Sequence, residues 1–163
     1  MIKIRKAGLR DIASIIKLEK KLIDHGDEII KNSYPQNLKD FCYNKPHDEI
    51  ARNFIKNAIH SKNGLVLVSE IDNNIVGYLL ITIRKNYPFF KLKKYGKLQT
   101  IFVKDDYRSR GISSKLKEEA FRWCREKKVT RISLDVLPDN IHSIEIYKKW
   151  GFDPYLLEMR IDV

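Results

Sequence analysis

Apolar positions along the chain switch between helical and strand spacing, and the switches mark out its elements. Ile2 to Arg5 reads as a short strand. Asp11 then opens a stretch in which Ile12, Ile15, Ile16, Leu18, Leu22 and Ile23 recur at helical spacing. Gly26 stands where a left-handed C-cap would close that helix. From Asp27 to Asn44 no period holds, and Pro35 and Pro46 predict short helices and loops. The stretch from His25 to Tyr43 is a candidate lid over a substrate. Helical spacing returns from His47 to His60 through Ile50, Phe54, Ala58 and Ile59.

The next segments are β-branched and apolar. Gly64 to Glu70 and Ile75 to Ile83, joined by Asp72-Asn73-Asn74, predict a hairpin, so the sheet is at least partly antiparallel. Lys97 to Val103 is a further strand. A polar turn around Gly111 follows, then a helix marked by Ile112, Leu116, Ala120, Phe121, Trp123 and Cys124. Arg131 to Leu137 reads as a strand, Asn140 to Trp150 as a helix and Phe152 to Val163 as a closing strand. With no internal repeat and no Gly/Ser- or Pro-rich linker, residues 1–163 are expected to form one domain. The expected class is α/β (α+β): a mixed, mostly antiparallel twisted sheet of about six strands flanked by about four helices.

Composition narrows the function. An apolar fraction of 43% with 33% charged residues describes a globular chain, and no apolar run approaches the roughly 20 residues of a membrane span. The N-terminus carries charge without a following apolar block, so a cytoplasmic protein with no membrane partner is expected. Cys42 and Cys124 lie far apart without His at ligand spacing, which supports neither a disulfide framework nor a metal site. The net charge of +11 favours a polyanionic partner: nucleic acid, an anionic surface or a nucleotide-like cofactor. Six cations from Arg84 to Lys97, with Tyr87, Phe89, Phe90 and Tyr95 between them, fit either solvated surface or a nucleic-acid contact. Surface is the preferred reading, and nucleic acid is not expected as a partner.

The turn from Arg108 to Ser114 carries the chemistry. It sits between a strand and a helix, where unpaired backbone N–H groups and the helix dipole favour an anion. Gly111 permits close approach, Ser113 and Ser114 are small, and Arg108, Arg110 and Lys115 add positive charge. A diphosphate suits this cradle.

Arg108-Ser-Arg-Gly-Ile-Ser resembles the Arg/Gln-x-x-Gly-x-Gly/Ala motif of the GNAT superfamily of acyl-CoA-dependent N-acetyltransferases, with Ser113 in place of the last Gly or Ala. Tyr147-Lys-Lys-Trp-Gly-Phe is similar to the family's Tyr-x-x-x-Gly-Phe ending. The resemblance implies acetyl-CoA as co-substrate, bound at the splay between two central parallel strands, and no metal. It implies backbone pairing of Ile101, Phe102 and Val103 with the pantetheine arm and a pyrophosphate held by Arg108, Ser109, Arg110, Gly111, Ile112, Ser113 and Ser114. Asn140 would lie against the cofactor, and Tyr147 would serve as general acid to the leaving sulfur. Helix geometry agrees with the last pairing: seven residues turn through about 700°, so Asn140 and Tyr147 share a face.

Asp135 matches a position where some family members carry a Glu used as general base. Alternation turns it away from Ile132, Leu134 and Val136, and an acid in mid-strand calls for a partner or a function. Asp135 is thus a candidate base, directly or through water, and equally a salt-bridge partner. The expected reaction is direct attack of a primary amine on the thioester in a ternary complex. The expected acceptor is a protein N-terminus or lysine; a small-molecule amine, or a non-catalytic CoA- or nucleic-acid-binding module, is the alternative. A homodimer is left open.

Overall fold

A computed structural model describes residues 1–41 and 47–161 of the chain. Cys42 and Tyr43, part of the expected lid segment, fall outside the described residues. Among the described residues, five strands form one sheet in the order β1-β2-β3-β4-β5: β1 (Lys3–Lys6), β2 (Gly64–Ile71), β3 (Asn74–Lys85), β4 (Lys94–Val103) and β5 (Ile132–Ser133). The first four run antiparallel, and β4 pairs with β5 in parallel. Four α-helices accompany them: α1 (Ile12–Ser33), α2 (His47–His60), α3 (Ile112–Glu126) and α4 (Ile141–Lys149).

The near-continuous apolar runs of β2 and β3 are those of strands covered on both faces. Val66, Val68, Tyr78 and Leu80 pack with Ile12, Ile15, Ile16 and Leu18 of α1 and Ile55 of α2. Leu65, Leu67, Leu79, Ile81 and Leu98 pack with Ile112, Leu116, Ala120 and Trp123 of α3. The β2–β3 turn places Asp72 and Asn73 at φ 49° and 62°, the left-handed pair of a two-residue hairpin turn.

Three expectations are corrected. Gly26 does not cap α1, which runs on to Ser33 and buries Ile30. A glycine inside a helix costs about 1 kcal/mol, and continued burial of the apolar stripe outweighs it. The strand expected over Arg131 to Leu137 shrinks to Ile132–Ser133. The closing strand from Phe152 is absent among the described residues, leaving five strands rather than about six. Pro154 donates nothing to a ladder, and a two-residue β5 offers almost no edge to join. The segment instead stands out in solvent, with Tyr155 92% and Ile161 89% exposed.

An ion cluster locks the start of α1 to the sheet. Arg5 on β1 donates to both oxygens of Asp11 at 2.6 and 2.9 Å, and to both oxygens of Glu70 at 2.9 Å. Asp11 is buried and also accepts from the Gly8 N–H at 2.8 Å. Its hydrogen bonds to Arg5, then that from Gly8, hold its carboxyl below the usual carboxylate range against the opposing effect of burial. A depressed folded pKa means the stabilisation is complete above the unfolded value near ~4 and is lost as pH falls through the folded one. Asp11→Asn, which leaves Arg5 short of a partner, is therefore expected to cost about 3 kcal/mol at neutral pH. In denaturant titrations the gap to wild type closes as the pH is lowered below about 4.

Candidate active site

β4 and β5 are paired only at Gly96↔Ile132 and Lys97↔Ser133, with Gly96 N–H donating to Arg131 O at 2.8 Å. Beyond them β4 carries a bulge: Ile81 faces Leu98 and Leu80 faces Thr100, which leaves Gln99 as the extra residue. A bulge bends and twists its strand, and β4 runs on to Val103 with no paired strand on that side among the described residues. Lys104 N–H donates to Val76 O at 2.9 Å. In an antiparallel pair the bonding side alternates residue by residue. Phe102 and Thr100 thus turn their backbone groups to β3, while Ile101 and Val103 turn theirs to the open edge. Phe102, expected to offer its backbone with these two, points it the other way and contributes a buried ring instead.

The open edge leads into the turn before α3. Ser109 and Gly111 adopt left-handed φ values of 59° and 72°. Gly111 is the N-cap and has no side chain to cap with, and the first bond within the helix is Lys115 N–H to Gly111 O at 3.1 Å. The N–H groups of Ile112, Ser113 and Ser114 therefore lack a carbonyl one turn below. A Cβ placed on Gly111 would meet nothing within 4 Å, so the space in front of these amides is open. Donors, dipole and room together fit a diphosphate.

The two arginines of the turn fold back onto it. Arg108 donates its Nε to Val103 O at 3.3 Å, pairs with Asp105 at 2.6 Å and lies 5.9 Å from the Phe102 ring centroid. Arg110 donates to Asp106 O at 2.9 Å and stacks over Tyr107 at 5.2 Å. Both shape the cradle and add positive charge, while the backbone supplies its inward-facing donors.

Asn140 is the N-cap of α4, its Oδ1 accepting from Ser143 N–H at 3.2 Å. Seven residues on, Tyr147 is fixed by how the helix ends. Gly151 takes φ 87°, Phe152 N–H donates to Tyr147 O at 3.0 Å and Gly151 N–H to Lys148 O at 2.9 Å. These two bonds make a Schellman motif, which folds the residue after the glycine back onto the last helical turn. Phe152 consequently meets Tyr147 at 6.1 Å between ring centroids, with Trp150 at 5.7 Å on another side. Desolvation by this cluster raises the phenol above its ordinary value, so Tyr147 keeps its proton across the neutral range.

Asp135 lies past the end of β5 with its side chain 87% exposed, and Lys97 Nζ binds its Oδ1 at 2.5 Å. Cys124 packs inside the α3 layer, and burial pushes its thiol up to about 11, which leaves it protonated and without nucleophilic use. The basic segment is the β3–β4 hairpin, where Tyr87 and Phe89 stack at 5.5 Å and Phe89 lies 4.6 Å from Phe90. The expected lid segment reaches the site's rim. Tyr34 donates to Asp139, beside Asn140, at 3.4 Å, and Arg160 of the C-terminal segment binds Asp40 at 3.0 Å.

An antiparallel sheet opening beside one short parallel strand, with a capless helix terminus following the end of that open edge, suits an acyl-CoA. The sequence profile of the Acetyltransferase (GNAT) family matches residues 28–152, and the chain belongs to that family. It is an acetyl-transfer enzyme of the GNAT type. The L-amino acid N-acetyltransferase AaaT of Escherichia coli is 34% identical over 88 residues, covering 53% of this chain and 52% of that protein. A putative [ribosomal protein bS18]-alanine N-acetyltransferase of Bacillus subtilis is 31% identical over 88 residues, 54% of this chain and 53% of its own. The match thus spans about half the length of either relative. A predicted acetyltransferase with acetyl-CoA from Clostridium acetobutylicum has the same fold, with a TM-score of 0.78 at 19% identity over 99% of this chain and 96% of its own.

Among the described residues no group of His, Cys, Asp and Glu is placed to hold a metal ion, and no helix is long and apolar enough to cross a membrane. Since a Cβ at Gly111 meets no protein atom, Gly111→Ala has only its left-handed backbone to oppose it, about 1–2 kcal/mol. The fold is expected to survive while calorimetric affinity for CoA falls by about tenfold or more, as a methyl there would crowd a diphosphate held by this turn.

Proposed function

We propose that the protein transfers the acetyl group of acetyl-CoA to a primary amine by direct attack in a ternary complex, the acceptor being a protein N-terminus or a lysine. The observation that carries this reading is the continuous edge from Ile101 and Val103 to the free amides of Ile112, Ser113 and Ser114. Acetyl-CoA, when bound there, supplies the electrophilic thioester carbonyl and a thiolate leaving group.

The chain's own groups do the rest. The amides at the start of α3, with the local charge of Arg108 and Arg110, hold the diphosphate. The outward backbone of Ile101 and Val103 pairs with the pantetheine amides, and Asn140 orients the cofactor with the amide nitrogen that capping leaves over. Tyr147 holds the proton that the departing sulfur takes. The amine's proton passes to water, oriented by the Asp135 carboxylate while Lys97 fixes that side chain. No acyl-enzyme is needed, and Cys124 is excluded as a nucleophile by its burial. Between the acceptors, the named substrates of the two relatives, an L-amino acid and the alanine of a ribosomal protein, favour an α-amino group over a lysine side chain.

Acetyl-CoA incubated with L-amino acids, peptides with free N-termini and lysine peptides with blocked N-termini is expected to add one acetyl group by mass to an α-amine. Acetylation confined to the blocked lysine peptides contradicts the α-amine preference, and no transfer to any of them contradicts the reading. Tyr147→Phe is expected to lower kcat by about 10²–10⁴ with KM little changed. The raised phenol pKa places any Tyr147-dependent loss of rate above pH ~10, and in Tyr147→Phe that limb disappears. Asp135→Asn is expected to lower kcat, and an unaltered kcat removes Asp135 from the proton's path.

A further inference from the structure

The inward stripe of α1 contains a carboxylate. Glu19 lies seven residues after Ile12, four after Ile15 and three after Ile16, all buried against the sheet. An acid on a core stripe breaks the local pattern, and such breaks gather at functional places. Glu19 accepts a hydrogen bond from the hydroxyl of Tyr78, whose side chain in mid-β3 is wholly buried among Val66, Val68, Leu80 and Phe102. Leu80 faces Thr100 and Tyr78 faces Phe102, so Thr100 on β4 lies diagonally across from Tyr78 on the same face of the sheet, its hydroxyl a neighbour of the phenol. Burial, and after it the charge of Glu19, raises the phenol far above its usual value, so Tyr78 remains a donor at any working pH.

The direction of this chain is therefore fixed. A phenol has one proton, and Tyr78 commits it to Glu19, so a bond between the two neighbouring hydroxyls runs from Thr100 to Tyr78. With its proton drawn inward, the Thr100 hydroxyl presents only lone pairs outward. The Gln99 bulge decides where they face. It shifts the alternation of β4 by one, which turns Thr100 to the α1 side beside Leu80 while the backbone of Ile101, the next residue, opens on the splay. Thr100 is partly exposed. An oriented acceptor thus stands next to the edge assigned above to the pantetheine arm, on the opposite face from α3.

We propose that Thr100 accepts a hydrogen bond from the incoming primary amine, with Tyr78 and Glu19 as the positioning residues that fix its hydroxyl; the inference rests on the N-acetyl-transfer reading. A primary amine still carries a second N–H when its nitrogen lone pair attacks, and this is the proton Thr100 would hold. The arrangement selects N–H donors and disfavours an acceptor group such as a carboxylate at the same point.

Thr100→Val keeps the side chain's shape and removes the hydroxyl. With the best amine from the acceptor panel, its KM for amine is expected to rise about tenfold, the worth of one hydrogen bond, with CoA affinity by calorimetry and Tm unchanged. Thr100→Ser restores the hydroxyl and the wild-type KM. Tyr78→Phe and Glu19→Gln shift the amine KM in the same direction as Thr100→Val, again without moving CoA affinity. A wild-type amine KM in Thr100→Val, or an equal loss in Thr100→Ser, overturns the inference while the transferase reading stands. A wild type that binds CoA yet acetylates none of the amines overturns both.

Discussion

β4 and β5 are parallel neighbours for only two residue pairs, and the placement of the site follows from that short contact. A longer ladder would satisfy the backbone of Ile101 and Val103 and leave nothing for a ligand to pair with. Two details keep it short: the Gln99 bulge bends β4, and the chain leaves β5 after Ser133 with Asp135 drawn to Lys97. Close packing keeps the remaining contact from opening further. A Cβ on Gly96 would come within 3.2 Å of both Cys124 Sγ and Ile132 Cγ1, so β4, β5 and α3 meet there with no space between them.

Two helix termini carry groups of the proposed site, each using a different property of a terminus. At the start of α3 the unpaired amides are the functional feature, and a left-handed Gly111 exposes them by supplying no cap. At the end of α4 the carbonyls are satisfied by the Schellman motif, and its gain is positional: Gly151 turns the chain so that Phe152 covers Tyr147 and dries its hydroxyl's surroundings. The Tyr-x-x-x-Gly-Phe pattern is in this sense a single device for packing an aromatic ring against the phenol.

Much of this could be read from the residues alone, and the failures share a cause. The apolar spacing from His47 to His60 defines α2 over the residues where it forms, and strand, glycine and helix in succession mark the cradle. Local pattern reports face and period; it does not report partners. The alternation that puts Ile132 and Leu134 on one side agrees with both packing against the α3 core, yet the ladder ends early for want of a neighbour in line. Asp135 stood out as an acid in a strand-like segment, and only the fold shows that Lys97 reaches it. Gly26 looked like a stop because the stripe's continuation to Ile30 was not weighed against one glycine. Glu19 went unread, since its partner Tyr78 is 59 residues away and belongs to another layer.

The most direct measurement is residue-resolved amide hydrogen exchange with and without CoA. The account predicts new protection at Ile101 and Val103 and at Ile112, Ser113 and Ser114, with Phe102, already bonded to β3, unchanged. Protection at Phe102 with none at Ile101 and Val103, or none at the start of α3, would contradict it.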